Sequence, residues 1–209
     1  MSSLLRKGCL VFICALWLSP VVASETLPEV LQRIHTQQTR QYQYREVRQM
    51  DFLEHDWVST GEMIIAQDQL LISQLTPRSV LISITPSRMI YLDRDSGTRR
   101  VRALKKQASM SAFQLLIKLF QADSRIALEQ HFQVGLTNQS ERWLMRLTPK
   151  NDLATRISSM EISGLHQAGP DHIELFFNDG DTTEWFLSLS AIEADADRAL
   201  AQSLQQIAK

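Results

Sequence analysis

Between residues 25 and 38 apolar side chains recur at spacings of three and four, at Leu27, Val30, Leu31 and Ile34. Pro28 stands in the first turn, where its missing N–H has no helical partner to lose. This stretch is predicted as one amphipathic helix. The period then drops to two: Tyr42, Tyr44 and Glu46 alternate with Gln41, Gln43 and Arg45, and the extended pattern continues through 47–53. Ten further strands are predicted at 57–67, 69–75, 80–84, 88–93, 98–104, 132–136, 142–147, 157–163, 172–177 and 182–189. Turn residues separate them, among them Thr76-Pro77, Thr85-Pro86, Asp95-Ser96-Gly97, Gly169-Pro170 and Asn178-Asp179-Gly180. Connections this short cannot hold a parallel crossover, so neighbouring strands are expected to run antiparallel.

The segment 110–121 breaks the series. Its polar positions Ser111, Gln114, Lys118 and Gln121 form one narrow helical stripe, and Met110, Phe113, Leu115, Leu116, Ile117, Leu119 and Phe120 surround the rest of the cylinder with apolar surface. Such a helix has to be covered on more than one side. A short helix at 124–130 follows, and 194–208 reads as a polar-faced or frayed terminal helix around Leu200, Leu204 and Ile207.

The start of the chain belongs to a different physical class. Arg6-Lys7, the apolar run 10–18 and Ser19-Pro20-Val21-Val22-Ala23 supply the basic, apolar and small-residue parts of a secretory signal peptide, with cleavage expected after Ala23. The apolar run falls short of the ~20 residues that a transmembrane helix needs, though an uncleaved anchor is the alternative. Residues 24–209 are then expected to form one domain, exported to a periplasm. Cys9 and Cys14 both lie in the leader, which leaves no disulfide framework and no cysteine chemistry for the rest.

Charge narrows the partners. With 22 Lys+Arg against 23 Asp+Glu the net charge is −1, so there is no overall positive field and no nucleic-acid partner is expected. The basic run Arg99, Arg100, Arg102, Lys105 and Lys106 has two readings: an edge strand blunted by charge, or a patch for acidic lipid headgroups or an acidic partner.

Catalytic patterns are missing from the sequence. His35, His55, His131, His166 and His172 include no ligand-spaced set, although His166 and His172 flank the Gly169-Pro170 turn and a hairpin there could bring them together. No Gly-x-Ser-x-Gly, Ser-x-x-Lys or glycine-rich phosphate loop occurs, and Asp179 and Asp181 bracket a turn glycine. No enzyme, no cofactor and no metal are expected.

Taken in order, several segments resemble the periplasmic outer-membrane lipoprotein carrier (LolA-type) family: the N-terminal helix after the leader, Gly61-Glu62-Met63-Ile64-Ile65, Met89-Ile90-Tyr91-Leu92, the apolar segment 111–120, Leu147-Thr148-Pro149-Lys150 and Ile157-Ser158-Ser159-Met160-Glu161-Ile162. The resemblance runs from about residue 27 to 189 and implies an unclosed antiparallel half-barrel of about eleven strands, mainly β, covered by helices that close an apolar cavity for acyl chains. It further implies a monomeric carrier of a lipoprotein, lipid or glycolipid toward the outer membrane, served by membrane-bound donor and acceptor proteins. The chain departs from the family at Ala66-Gln67-Asp68, where carriers have an Arg-Pro pair with a gating arginine, and at its C-terminal segment, which replaces an extra strand. A sensor or interaction module on the same fold is the alternative function, and a periplasmic hydrolase a more distant one.

Carrying lipid sets a physical requirement. Withdrawing about 15 methylenes from a membrane costs roughly 12 kcal/mol at ~0.8 kcal/mol each, and a carrier must offer comparable apolar surface. The candidate lining is Met63, Ile65, Leu71, Leu81, Met89, Tyr91, Phe113, Ile117, Phe120, Trp143, Met145, Ile162, Phe177 and Trp185. Unbranched methionine and flat aromatic rings repack readily around variable chains. Each of these residues has plain core packing as its alternative role, and a one-residue error of register would move a strand's set to the opposite face.

Overall fold

A computed structural model describes residues 24–35, 38–104, 119–120, 125–150 and 156–208. The expected leader, the apolar segment 110–118 with Phe113 and Ile117, and Lys105 and Lys106 lie outside the described residues.

Among the described residues one antiparallel sheet dominates. Its strands are β1 (Arg40–Gln49), β2 (Trp57–Ala66), β3 (Gln69–Thr76), β4 (Val80–Ile84), β5 (Arg88–Asp93), β6 (Arg99–Ala103), β7 (Phe132–Asn138), β8 (Arg142–Pro149), β9 (Ile157–Leu165), β10 (His172–Phe177) and β11 (Thr182–Ile192). The spatial order is β6-β5-β4-β3-β2-β1-β11-β10-β9-β8-β7, an unclosed half-barrel with β6 and β7 as its free edges. Consecutive strands pair throughout except β6 and β7, and at the centre β1 lies against β11 from Arg40↔Ile192 to Gln49↔Thr182. The eleven strands and their antiparallel order match the sequence expectation. β1 is shorter than expected: the chain turns at Asp51 and Phe52, and the Leu53 N–H closes back on the Met50 carbonyl.

Alternation along the strands divides the apolar residues between two faces. The inner face carries the large cluster, including Tyr42 and Tyr44 of β1, Met63 and Ile65 of β2, Leu70 and Ile72 of β3, Trp143 and Met145 of β8, and Trp185 and Leu187 of β11. Helix α1 (Leu27–Ile34) covers this face with Val30, Leu31 and Ile34, helix α2 (Arg125–Glu129) adds Leu128, and Leu119 and Phe120 join them. The outer face carries a smaller cluster of Ile64, Leu71, Leu81 and Ile90, closed by Ile207, Leu204 and Leu200 of helix α3 (Ala194–Ala208).

Local chemistry fixes the helices. The Glu29 carboxylate accepts from both the backbone N–H and the hydroxyl of Thr26 at 2.8 Å, which sets the start of α1. Glu25 pairs with Arg33 and accepts the Gln167 N–H, and Asn138 donates to the Glu25 carbonyl and accepts its N–H, so the segment before α1 is tied to the β7 and β9 ends. At the other end of the molecule the Arg99 Nε donates to the Ile207 carbonyl at 2.9 Å, placing a cation at the C-terminus of α3, where the helix dipole favours it. The terminal helix is therefore packed, with Ala196 and Ile207 buried, and is not frayed.

Gly61 shows why a motif position is glycine. A Cβ there would lie 2.1 Å from the Ser73 carbonyl oxygen, at the point where the β2–β3 register shifts between Thr60 and Gly61.

Candidate functional site

The inner face gathers residues that the sequence separates by more than a hundred positions. Met63, Ile65, Phe120, Trp143, Met145, Ile162 and Trp185 are buried members of its cluster, and Met89 and Phe177 pack against it partly exposed. Tyr91 shares that face, opposite Ile82 in register. Leu71 and Leu81 do not: they lie beneath α3 on the outer face, because each sits one residue out of phase with its inner-face neighbours, Leu70 and Ile72 on β3 and Ile82 on β4. The expectation that all the described candidates share one wall is corrected to that extent. Trp143 is fully buried and its indole N–H donates to the Leu165 carbonyl at 3.1 Å, which anchors the β8 side of the wall.

A cavity of about 210 Å³ opens at one end of this face. Its lining is Met50, Leu175, Phe177 and Trp185, with Glu46, Arg48, Arg156, Asp181, Thr182 and Thr183 as the polar part. This is smaller than the 300–1,000 Å³ typical of ligand pockets. Elsewhere the inner wall is in contact with its cover of α1, α2 and the Leu119–Phe120 pair.

The polar part of the lining was not anticipated from sequence. Glu46 is buried on the inner face in the alternation that begins with Tyr42 and Tyr44. One of its oxygens takes the Arg48 Nε and a terminal Arg48 nitrogen, each at 2.8 Å, and the other accepts the Ser59 hydroxyl at 2.8 Å. Ser59 faces Glu46 directly across the β1–β2 ladder and is itself fully buried. The Arg48 guanidinium lies over the Trp57 ring, 4.6 Å from its centroid. Burial first, and the Glu46 charge second, push the Tyr44 phenol up to about 12, against the opposing pull of Ser59 and Arg48. The available signal was a charged residue falling in phase with buried tyrosines on a strand.

The basic run divides by strand alternation. Arg100 stands opposite Tyr91 and Arg102 opposite Met89, on the inner-face side of edge strand β6, whereas Arg99 stands opposite Leu92 and serves α3. Arg99, Arg100 and Arg102 are all exposed.

The histidines and the turn aspartates have separate partners. The His166 Nε2 contacts the Gln139 carbonyl at 2.9 Å, and His172 faces Glu184 at 3.4 Å. Asp179 pairs with Arg156 at 2.6 Å, a hydrogen bond that lowers its carboxyl below the usual range, while Asp181 accepts the Asp51 N–H at 3.2 Å. Among the described residues no group of three or more His, Cys, Asp or Glu side chains could hold a metal ion.

No family profile and no curated protein matches the chain in sequence. Solved structures similar to it include a DUF1329 family protein from Desulfovibrio piger ATCC 29098, 11% identical with a TM-score of 0.44, over 80% of this chain and 90% of that one. Lipoprotein LppX of Mycobacterium tuberculosis is 6% identical with a TM-score of 0.38, over 77% and 90% of the two chains. A LolA superfamily protein from Nitrosomonas europaea is 7% identical with a TM-score of 0.40, over 80% and 90%. At such identities and TM-scores the likeness says nothing of what this chain binds or does.

Proposed function

We propose that this protein is a periplasmic carrier, exported by cleavage after Ala23, that shelters acyl chains of a lipoprotein or lipid against the inner face and ferries them toward the outer membrane. The observation that carries this reading is an apolar wall built from both wings of an open sheet, with a cavity that opens at the Trp185 end. The proposed lining is Met63, Ile65, Met89, Tyr91, Phe120, Trp143, Met145, Ile162, Phe177 and Trp185. A chain of ~15 methylenes needs more room than the cavity of about 210 Å³ provides, so loading requires the helical cover to lift. The cover suits that role, because α1 has only 8 residues, too few to be a stable helix without the wall it rests on. Arg100 and Arg102, exposed along the rim of the same face, are the proposed meeting point for acidic groups of donor or acceptor proteins.

Protein purified from its native host is expected to bring with it lipid or a lipidated protein detectable by mass spectrometry. Repeated recovery of empty protein that also ignores fluorescent fatty acids overturns the reading.

A further inference from the structure

The cavity is not uniformly greasy, and its polar end has a construction of its own. A buried carboxylate in a sheet is costly unless its oxygens are satisfied. Glu46 meets that condition through Ser59 on one oxygen and Arg48 on the other, so its charge is already occupied in holding the guanidinium. Trp57 stacks against the same guanidinium at 4.6 Å. Arg48 is thus fixed by an edge and by a face before any ligand arrives. A guanidinium has five N–H donors, and the grip of Glu46 engages one edge of it. The side chain is 38% exposed and lines the cavity.

Arg156, exposed and paired with Asp179 at 2.6 Å, brings a second guanidinium to the same lining. The remaining charged group there, Asp181, accepts a backbone N–H from Asp51. Both carboxylates of the lining therefore already take protein donors, and the two guanidinium groups, each held by one carboxylate, Glu46 for Arg48 and Asp179 for Arg156, border an opening whose other wall is Leu175, Phe177 and Trp185. Guanidinium groups held in this way match the planar or tetrahedral oxygens of carboxylates and phosphates.

We propose that this cavity binds the anionic head of a single-chain amphiphile, a carboxylate or a phosphate monoester, with Arg48 and Arg156 as the groups that receive it. At ~30 Å³ for each water-sized group, the cavity holds about seven such groups, enough for the head and the first methylenes. The rest of the tail continues along the inner wall from Trp185, and in this respect the inference rests on the carrier reading.

The test is titration calorimetry of the purified protein with dodecanoate, dodecyl phosphate and dodecanol, repeated with Arg48→Met and Arg156→Met. Arg48→Met leaves Glu46 without its cation, so the double variant Glu46→Gln/Arg48→Met is measured beside it; Arg156 is exposed, and its replacement tests the site without disturbing the core. The native protein is expected to bind at least one of the anions about tenfold more tightly than dodecanol. Each arginine variant is expected to weaken that anion by about five- to tenfold and to leave dodecanol unchanged. The preferred anion tells a fatty acid from a phosphorylated lipid. Dodecanol binding as tightly as both anions, or losses equal for all three probes, overturns the head site and leaves the carrier reading standing. No binding of any probe by the native protein overturns both.

Discussion

Glu46 occupies a strand position whose neighbours in phase, Tyr42 and Tyr44, are buried against the core. Tyr44 shares that environment, and its phenol, pushed up to about 12 from an ordinary 10.0, keeps its proton in the folded protein at pH values where the unfolded chain has lost it. A raised phenol pKa contributes stability that is intact below pH ~10 and lost as pH climbs toward ~12. Urea midpoints compared at pH 8 and pH 11 are therefore expected to fall more in the native protein than in Tyr44→Phe, by about 1 kcal/mol of unfolding free energy. Equal losses in the two proteins contradict this assignment. Residue identities of the wall were readable where a strand alternates strictly, as at Ile162 between Glu161 and Ser163 on β9. They were not readable at Leu71 and Leu81, where apolar residues fill consecutive positions of β3 and β4 and both faces are buried, so the pattern has no polar side to set its phase. The polar end of the cavity escaped for another reason: Arg156 is brought to Arg48 by the fold alone, across more than a hundred residues.

Strands were legible because period-two patterning and turn residues act locally. The terminal helix was legible as a helix but not as a packed element, since its seam consists of few residues, Leu200, Leu204 and Ile207, on an otherwise polar surface. Its partners Ile64, Leu71, Leu81 and Ile90 come from four different strands. Replacing Ile207, which is 2% exposed, by alanine is expected to cost about 2–4 kcal/mol in a denaturant titration. A loss below 0.5 kcal/mol would mean that α3 rests on the sheet without stabilising it. Ala66, Gln67 and Asp68, where the sequence departs from the carrier pattern, stand at the end of β2 and in the turn into β3.

At the scale of the whole molecule the sheet depends on one pairing that no local pattern announces. The first and last strands meet at the centre, and without the β1–β11 ladder the sheet is two separate meanders, β1–β6 and β7–β11. Amides of that ladder, shielded by a neighbour on each side, are expected to be among the last to exchange in native-state hydrogen exchange, and those of β7 to exchange on the order of tenfold or more before those of β3 and β4. Exchange of β3 and β4 ahead of β7 contradicts this ordering. The ordering follows from where α3 lies. Its contacts on the outer face run across β2, β3, β4 and β5 and finish at Arg99 of β6, so it works as a brace nailed across the planks of a single shutter. The opposite shutter, β7 to β10, has no helix across its outer face among the described residues, so any widening of the span is expected to come from that side.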